Sequence, residues 1–318
     1  MEFLSQYGLF ALKSFTLAVA IIFTFGSIIA LRRKPKADLS ITSLNKDYDE
    51  VVKRLEKEVL GKRVKKPKTK QTKSKAKKNP KPVLYVLDFH GDLKASQVES
   101  LRTEISAIVA VISSKDEVLI RLESPGGTVN GYGLAASQLQ RLRDRDIHIT
   151  ACIDKIAASG GYLMACVANQ ILAAPFSIIG SIGVVAQMPN FHRWLQKHDI
   201  DVELITAGEY KRTLTALGKN TAKGRAKFQE DLEMIHTNFR QSILNTRADI
   251  NIDEVATGEH WLATDALALK LVDGLQTSDE YIIDKLVTHD IFHIKAYHKQ
   301  SVVEKLLKPA TKLLHPFA

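Results

Sequence analysis

The sequence predicts an α/β fold in which βαβ units surround a buried, largely parallel sheet. Three observations predict it. Short apolar runs alternate with longer stretches of helical spacing along residues 82–293. Apolar residues make up 45% of the 318, enough to bury a core. Serine and glycine clusters fall where strand-like runs give way to helix-like ones.

The elements follow in chain order. Ser14 to Leu31 is an 18-residue stretch without a charge, preceded by Lys13 and followed by Arg32-Arg33-Lys34. With Tyr7 to Leu12 it is long enough to span a bilayer, so residues 1–31 are read as an N-terminal transmembrane helix. A cleaved signal peptide is disfavoured by the Met-Glu-Phe start and the basic flank. Residues 32–81 carry 19 Lys and Arg against 6 Asp and Glu, and the stretch 61–81 holds eleven basic residues with no acid. Such a composition cannot bury enough surface to fold alone, so this part is read as a disordered, Lys-rich linker suited to anionic lipid headgroups.

From Val83 the texture changes. Val83 to Phe89 reads as a strand, Gln97 to Ile112 as a helix, and Val118 to Leu122 as a strand ending at Ser124-Pro125-Gly126-Gly127. Asn130 to Asp144 is helical, Ile147 to Ile153 a strand, and Ser159 to Asn169 a helix. Ile171 to Ala174 and Ser181 to Val185 are short strands, and Val202 to Ile205 is strand-like. Phe191 to His198 and the long, charge-rich Ala222 to Asp249 are helices. Residues 82–293 form one folded domain in this reading, and the tail 294–318 carries no assignment.

The net charge of +10 is confined to the linker. Residues 82–318 hold 25 basic and 28 acidic groups, so the folded part has no basic bias toward nucleic acid. The two cysteines, Cys152 and Cys166, sit in apolar company and are assigned to the core, with a disulfide possible but not signalled. No metal-binding or nucleotide-binding motif is present, so no cofactor is expected.

Three strand-to-helix junctions could carry chemistry: Ser124-Pro125-Gly126-Gly127, Ser159-Gly160-Gly161 and Gly180-Ser181-Ile182-Gly183. A serine followed by two glycines leaves bare backbone at which a substrate can approach closely. The same segment also reads as an ordinary helix N-cap and turn. A nucleophilic serine needs a base and an oxyanion pocket. None of the ten histidines falls at a junction, and they are read as surface or structural. Lys211, after the strand-like Val202 to Ile205, is a candidate base if buried, and otherwise one solvated lysine among many.

Glu123-Ser124-Pro125-Gly126-Gly127, Ala158-Ser159-Gly160-Gly161-Tyr162, Gly180-Ser181-Ile182-Gly183-Val184 and Gly208-Glu209-Tyr210-Lys211-Arg212 occur together in this order. That series resembles the signal peptide peptidase A family of Ser/Lys serine proteases, and the likeness spans roughly residues 1–290. The resemblance implies a ClpP/crotonase-like fold and an endopeptidase acting through an acyl-enzyme. It implies Ser159 as nucleophile, Lys211 as general base and Ser181 as the group that holds the lysine. It implies an oxyanion hole from the N–H groups of Gly126 and Gly160, with Gly127 shaping the substrate-binding backbone. Gly258 to Trp261 and Ala266 to Asp273 match the family as structural segments.

The implied partners are peptide or protein substrates, a bacterial inner membrane through the N-terminal helix, and further copies of the chain in a homo-oligomeric ring. The family places the catalytic domain outside the cytoplasmic membrane, whereas Arg32-Arg33-Lys34 favours the cytoplasmic side. Two alternatives compete. One is a crotonase-type acyl-CoA enzyme, which needs no Ser/Lys pair. The other is an inactive membrane scaffold, which would have no reason to keep both Ser159 and Lys211.

Overall fold

The computed structural model describes residues 7, 8, 10, 12–17, 37–60 and 80–298. Most of the expected membrane segment 14–31, most of the Lys-rich stretch 61–81 and the tail beyond 298 lie outside the described residues. Among the described residues no helix is long and apolar enough to cross a membrane. The chain divides into two compact units, one of Met1–Ser40 with Ala296–Ala318 and the other of Ile41–Lys295. The described part of the first comprises exposed helical residues between 7 and 17 and the outer ends of two strands, β1 (Ala37–Ser43) and β10 (Asp290–His298).

The larger unit holds the sheet. Its strands are β2 (Val83–His90), β3 (Glu117–Glu123), β4 (His148–Ile153), β6 (Gln170–Ala173) and β9 (Gly274–Leu275), with the start of β10. They run in the order β10-β2-β3-β4-β6-β9, and every one of these pairings is parallel. Leu84, Val86, Leu87 and Phe89 of β2 are fully buried, as are Val118, Leu119 and Ile120 of β3. A parallel sheet covered on both faces uses β-branched and apolar residues in near-continuous runs, which is why these strands were legible. The crossover helices are α2 (Val98–Val109), α3 (Val129–Arg143) and α4 (Gly160–Cys166). A smaller sheet of β5 (Ile156–Ala158), β7 (Ile178–Gly180) and β8 (His260–Leu262) pairs β5 with β7 in parallel and β7 with β8 antiparallel.

Several expectations need correction. Residues 37–60 fell in the expected linker, yet they form β1 and helix α1 (Leu44–Leu55) followed by a π-helical turn. Leu44 and Tyr48 of α1 pack on a core cluster that includes Leu84, Leu119, Tyr281 and Ile291. Asn45 fixes the docking, donating to the His289 carbonyl at 3.0 Å and accepting from the Ile291 N–H at 2.6 Å. Charge averaged over the whole segment hid this amphipathic piece. Ser181 to Val185 is not a strand; the strand is β7, just before it. Gly180 and Ser181 have φ of +106° and +51°, which turns the chain out of extended conformation there. Val202 to Ile205 forms no strand and is exposed. The long helix ends early, as α6 (Ala222–Leu244) after the short α5 (His192–Gln196). The remaining elements, α7 (Ile252–Val255), α8 (Ala263–Ala268) and α9 (Ser278–Lys285), are short.

Both cysteines are free and buried. Burial pushes each thiol up to about 12, so both remain protonated and inert. Core packing was the expected role.

Candidate active site

Ser159 occupies the tight turn between β5 and α4. Its φ of +52° and ψ of −121° lie outside the regions a serine normally adopts. Such a conformation costs on the order of 1–3 kcal/mol and persists only where the surroundings fix it. Here its N–H donates to the Gly180 carbonyl at 2.8 Å, and its carbonyl accepts from the Leu163 N–H at 3.0 Å. The side chain is half-buried.

The Ser124–Gly127 turn lies directly against it. Gly126 has φ of +88°, and a Cβ there would stand 2.7 Å from the Ser159 Cβ. A side chain at Gly126 is excluded both by conformation and by contact. Ser124 ties this turn to the strand that leads to Ser159. Its N–H donates to the Ile156 carbonyl at 2.8 Å, and its carbonyl accepts from the Ala158 N–H at 3.0 Å. The Gly126 N–H donates to Ser124 Oγ at 3.1 Å, so this expected oxyanion donor is engaged within its own turn. The neighbouring Gly127 N–H makes no hydrogen bond among the described residues.

Ser159, Gly126, Gly127, Gly160 and Ser181 all line one cleft of about 1130 Å³. Leu93, Val129, Leu163 and Phe239 add apolar surface to its wall. Ser181 also has a positive φ, and its N–H donates to the Glu259 carbonyl at 2.6 Å. Trp261 of β8 packs against Gly180, where a Cβ would meet the indole at 2.8 Å. The segment from Gly258 to Trp261 thus supports the turn beneath Ser181.

Lys211 is placed elsewhere. It is exposed, at the end of a turn in which its N–H donates to the Gly208 carbonyl at 3.2 Å, and it does not line the cleft. The turn is tied to the first part of α6. Glu209 pairs with Lys223, and Lys223 and Lys227 lie 5.9 and 5.8 Å from the centre of the Tyr210 ring. The cleft meets α6 only from Ile235 onward. Twelve residues of helix separate Lys223 from Ile235, about 18 Å along the axis. The structure therefore joins all five sequence-predicted serine and backbone positions in one cleft and leaves the lysine outside.

The descriptions Peptidase family S49 N-terminal and Peptidase family S49 match residues 2–139 and 141–289 respectively. The probable protease SohB of Haemophilus influenzae is 46% identical, over 97% of this chain and 93% of that one. The probable protease SohB of Buchnera aphidicola subsp. Schlechtendalia chinensis is 50% identical, over 90% of this chain and all of that one. The chain belongs to peptidase family S49. Among solved structures, a membrane-bound stomatin-specific protease mutant in complex with a substrate peptide matches at 14% identity. That match covers 73% of this chain and 99% of the other, with a TM-score of 0.43.

As an S49 protease, the chain has its cleft walled by residues that sequence reasoning set aside. His236 of α6 borders the cleft, although no histidine was assigned to the site. Its Nε2 is buried and has no hydrogen-bond partner among the described residues. No local signal marks it, because it sits mid-helix and far in sequence from the junctions. Tyr132 of α3 also lines the cleft and is fully buried. It falls in the stretch Asn130 to Asp144 that was read as helical, where nothing local marks it as a neighbour of the Ser159 turn. Among the described residues no cluster of His, Cys, Asp or Glu is arranged to hold a metal ion.

Proposed function

We propose that this S49 protease is a membrane-anchored serine endopeptidase of the bacterial inner membrane, with Ser159 as nucleophile and Lys211 as general base. The observation that carries the reading is the Ser159 turn itself. A strained serine stands at the wall of a large, partly apolar cleft, beside bare glycine backbone. In the reaction, neutral Lys211 Nζ takes the Ser159 hydroxyl proton as Oγ bonds to the peptide carbonyl carbon. The carbonyl oxygen becomes an oxyanion and accepts from the N–H groups of Gly160 and the Gly126–Gly127 turn; Gly127 offers the unengaged donor of that pair. Collapse breaks the C–N bond, and Lys211 returns the proton to the leaving amine. A water, deprotonated by Lys211, then hydrolyses the acyl-enzyme. Ser181 holds the amine in place.

This assignment requires the segment 184–221 to fold toward the cleft. Its composition supports a covered state, since Val185 and Ile205 are 89% and 90% exposed, and Trp194 and Leu204 are also open. We read this surface as the contact between copies in a homo-oligomeric ring, whose formation brings Lys211 to Ser159. An amine withdrawn from water favours its neutral form. The segment 14–31 supplies the anchor, and the apolar cleft wall suits apolar segments of signal-peptide-like, membrane-derived or misfolded chains. The family favours a periplasmic catalytic domain.

One observation favours a second reading, in which His236 is the base: it lines the same cleft as Ser159, and Lys211 does not. Endopeptidase rates of Ser159→Ala, Lys211→Ala and His236→Gln on an apolar fluorogenic peptide separate the two. The dyad predicts losses on the order of 10⁴-fold or more for the first two, at unchanged thermal midpoint, and a modest change for the third. A dead His236→Gln with an active Lys211→Ala transfers the role to the histidine. Wild-type activity in Ser159→Ala overturns both.

A further inference from the structure

A hydrogen-bonded chain of buried groups runs beneath the Ser159 corner. Tyr132 Oη lies 2.9 Å from the Asp92 carbonyl oxygen and 2.5 Å from Ser124 Oγ, and Ser124 Oγ accepts from the Gly126 N–H at 3.1 Å. Its direction is fixed by the ends. The Asp92 carbonyl can only accept, so Tyr132 donates its one proton there. Tyr132 then accepts from Ser124, and Ser124 is left to accept from Gly126. Burial pushes the Tyr132 phenol up, which keeps it a donor. Every member is satisfied, and hydrogen bonds aligned in one direction reinforce each other.

The packing around the chain is equally constrained. A Cβ at Gly160 would lie 2.4 Å from Tyr132 Cγ, and one at Gly161 would lie 2.6 Å from the Ser124 carbonyl oxygen. A Cβ at Gly91 would meet Tyr132 Oη at 2.2 Å and Ser124 Oγ at 2.3 Å. The Tyr132 ring thus lies against Gly160, the residue after the nucleophile, while its hydroxyl reaches Gly126 through Ser124. Both backbone segments flanking Ser159 rest on the same two side chains.

We propose that Tyr132 and Ser124 are positioning residues of the peptidase, which set the relative placement of the Gly126–Gly127 turn and Gly160 on either side of Ser159. The proposal rests on the reading of Ser159 as nucleophile. Donors aimed at a developing oxyanion act through preorganisation, so a small loss of alignment appears in the transition state and not in substrate binding. Neither side chain transfers a proton to the substrate.

The test is Tyr132→Phe in the full-length protein, which removes one oxygen and keeps the ring against Gly160. The expected result is a kcat reduced roughly 10-fold with KM unchanged, less than the loss from deleting an oxyanion donor outright. Affinity for a peptide boronate, which forms a tetrahedral adduct, falls by the same factor, while affinity for a cleaved product peptide is unchanged. Ser124→Ala gives the same pattern, and the double variant adds little to either single one. Wild-type kcat and boronate affinity in Tyr132→Phe, or in Ser124→Ala should the former not fold, overturn the proposal. So does a rise in KM with kcat intact. Activity retained by Ser159→Ala instead removes the underlying nucleophile assignment, whatever Tyr132 does.

Discussion

Around Ser159 the backbone is held from several sides by buried groups; around Lys211 it is held by exposed side chains at one end of a helix. The first region has a carbonyl from β7, a bridge to Ser124 and an aromatic ring under Gly160. The second has an ion pair and two lysines over Tyr210, all at the surface. Exposed ion pairs contribute little, with a median of about 0–1 kcal/mol. The difference teaches that this S49 chain holds the Ser159 turn firmly and leaves the segment around Lys211 with uncovered apolar residues; in the proposed reaction the first region fixes the nucleophile and the second delivers the base. A serine in a strained conformation must be fixed by its own fold. A base can be delivered by a segment whose apolar residues are still uncovered.

The largest effect that would sharpen this contrast is expected from Gly160→Ala. Its Cβ would fall within 2.4–2.9 Å of three atoms of the buried Tyr132 side chain, next to the ring, with no flexible end to move aside. Overpacking of this kind costs about 1–3 kcal/mol, and the upper end is expected here. Denaturant unfolding should show that loss, accompanied by loss of peptidase activity. A variant with wild-type stability would mean that the corner is softer than its packing states.

A smaller loss is expected from a charge cluster carried by three strands of the main sheet. Asp88 of β2 accepts from Arg121 Nε at 2.6 Å and lies 2.9 Å from His293 Nε2. Burial opposes ionisation of this carboxyl, yet the hydrogen bonds and charges of His293 and Arg121 overcome it and hold its pKa well below the usual carboxylate range. A depressed folded-state pKa stabilises the protein above the unfolded value, near 3.9, and that contribution is lost as pH falls through the folded value. Asp88→Asn should cost about 2 kcal/mol at pH 7. The gap between wild type and variant should narrow as the medium is acidified below about pH 4. A gap independent of pH would show that packing, not charge, sets the effect.

The sequence made the held region legible and the free region misleading, for the same physical reason. β2, β3 and β4 are apolar on both faces, so local composition alone identifies them. The glycines at 126, 127 and 160 mark places where backbone comes close, and the fold brings all three to Ser159. Ser181 to Val185 and Val202 to Ile205 are just as apolar, and the same rule turned them into strands. Here their apolarity is satisfied only in part: Ile182 is buried but Val185 and Ile205 are open, and the positive φ of Gly180 and Ser181 ends the strand early. Tyr132 and His236 were invisible because their role depends on which distant turn they meet. Leu44 and Tyr48 were hidden by a charge average taken over too long a window.

The smallest effect tests the loose side directly. Gly208 has φ of +93°, but unlike Gly160 it has nothing within 4 Å of a built Cβ. Alanine there carries only the conformational cost of the left-handed region, about 1–2 kcal/mol if the turn stays as it is. A segment that opens independently of the core relieves part of that strain without global unfolding. Gly208→Ala should therefore lower global stability by less than about 1 kcal/mol, far below Gly160→Ala. Its effect should appear in hydrogen exchange across residues 184–221 and in peptidase rate, because it disturbs the turn that presents Lys211. Equal losses of global stability from the two glycine variants would mean that the lysine segment is locked to the core, and that the separation of Lys211 from the cleft is a fixed property of the fold.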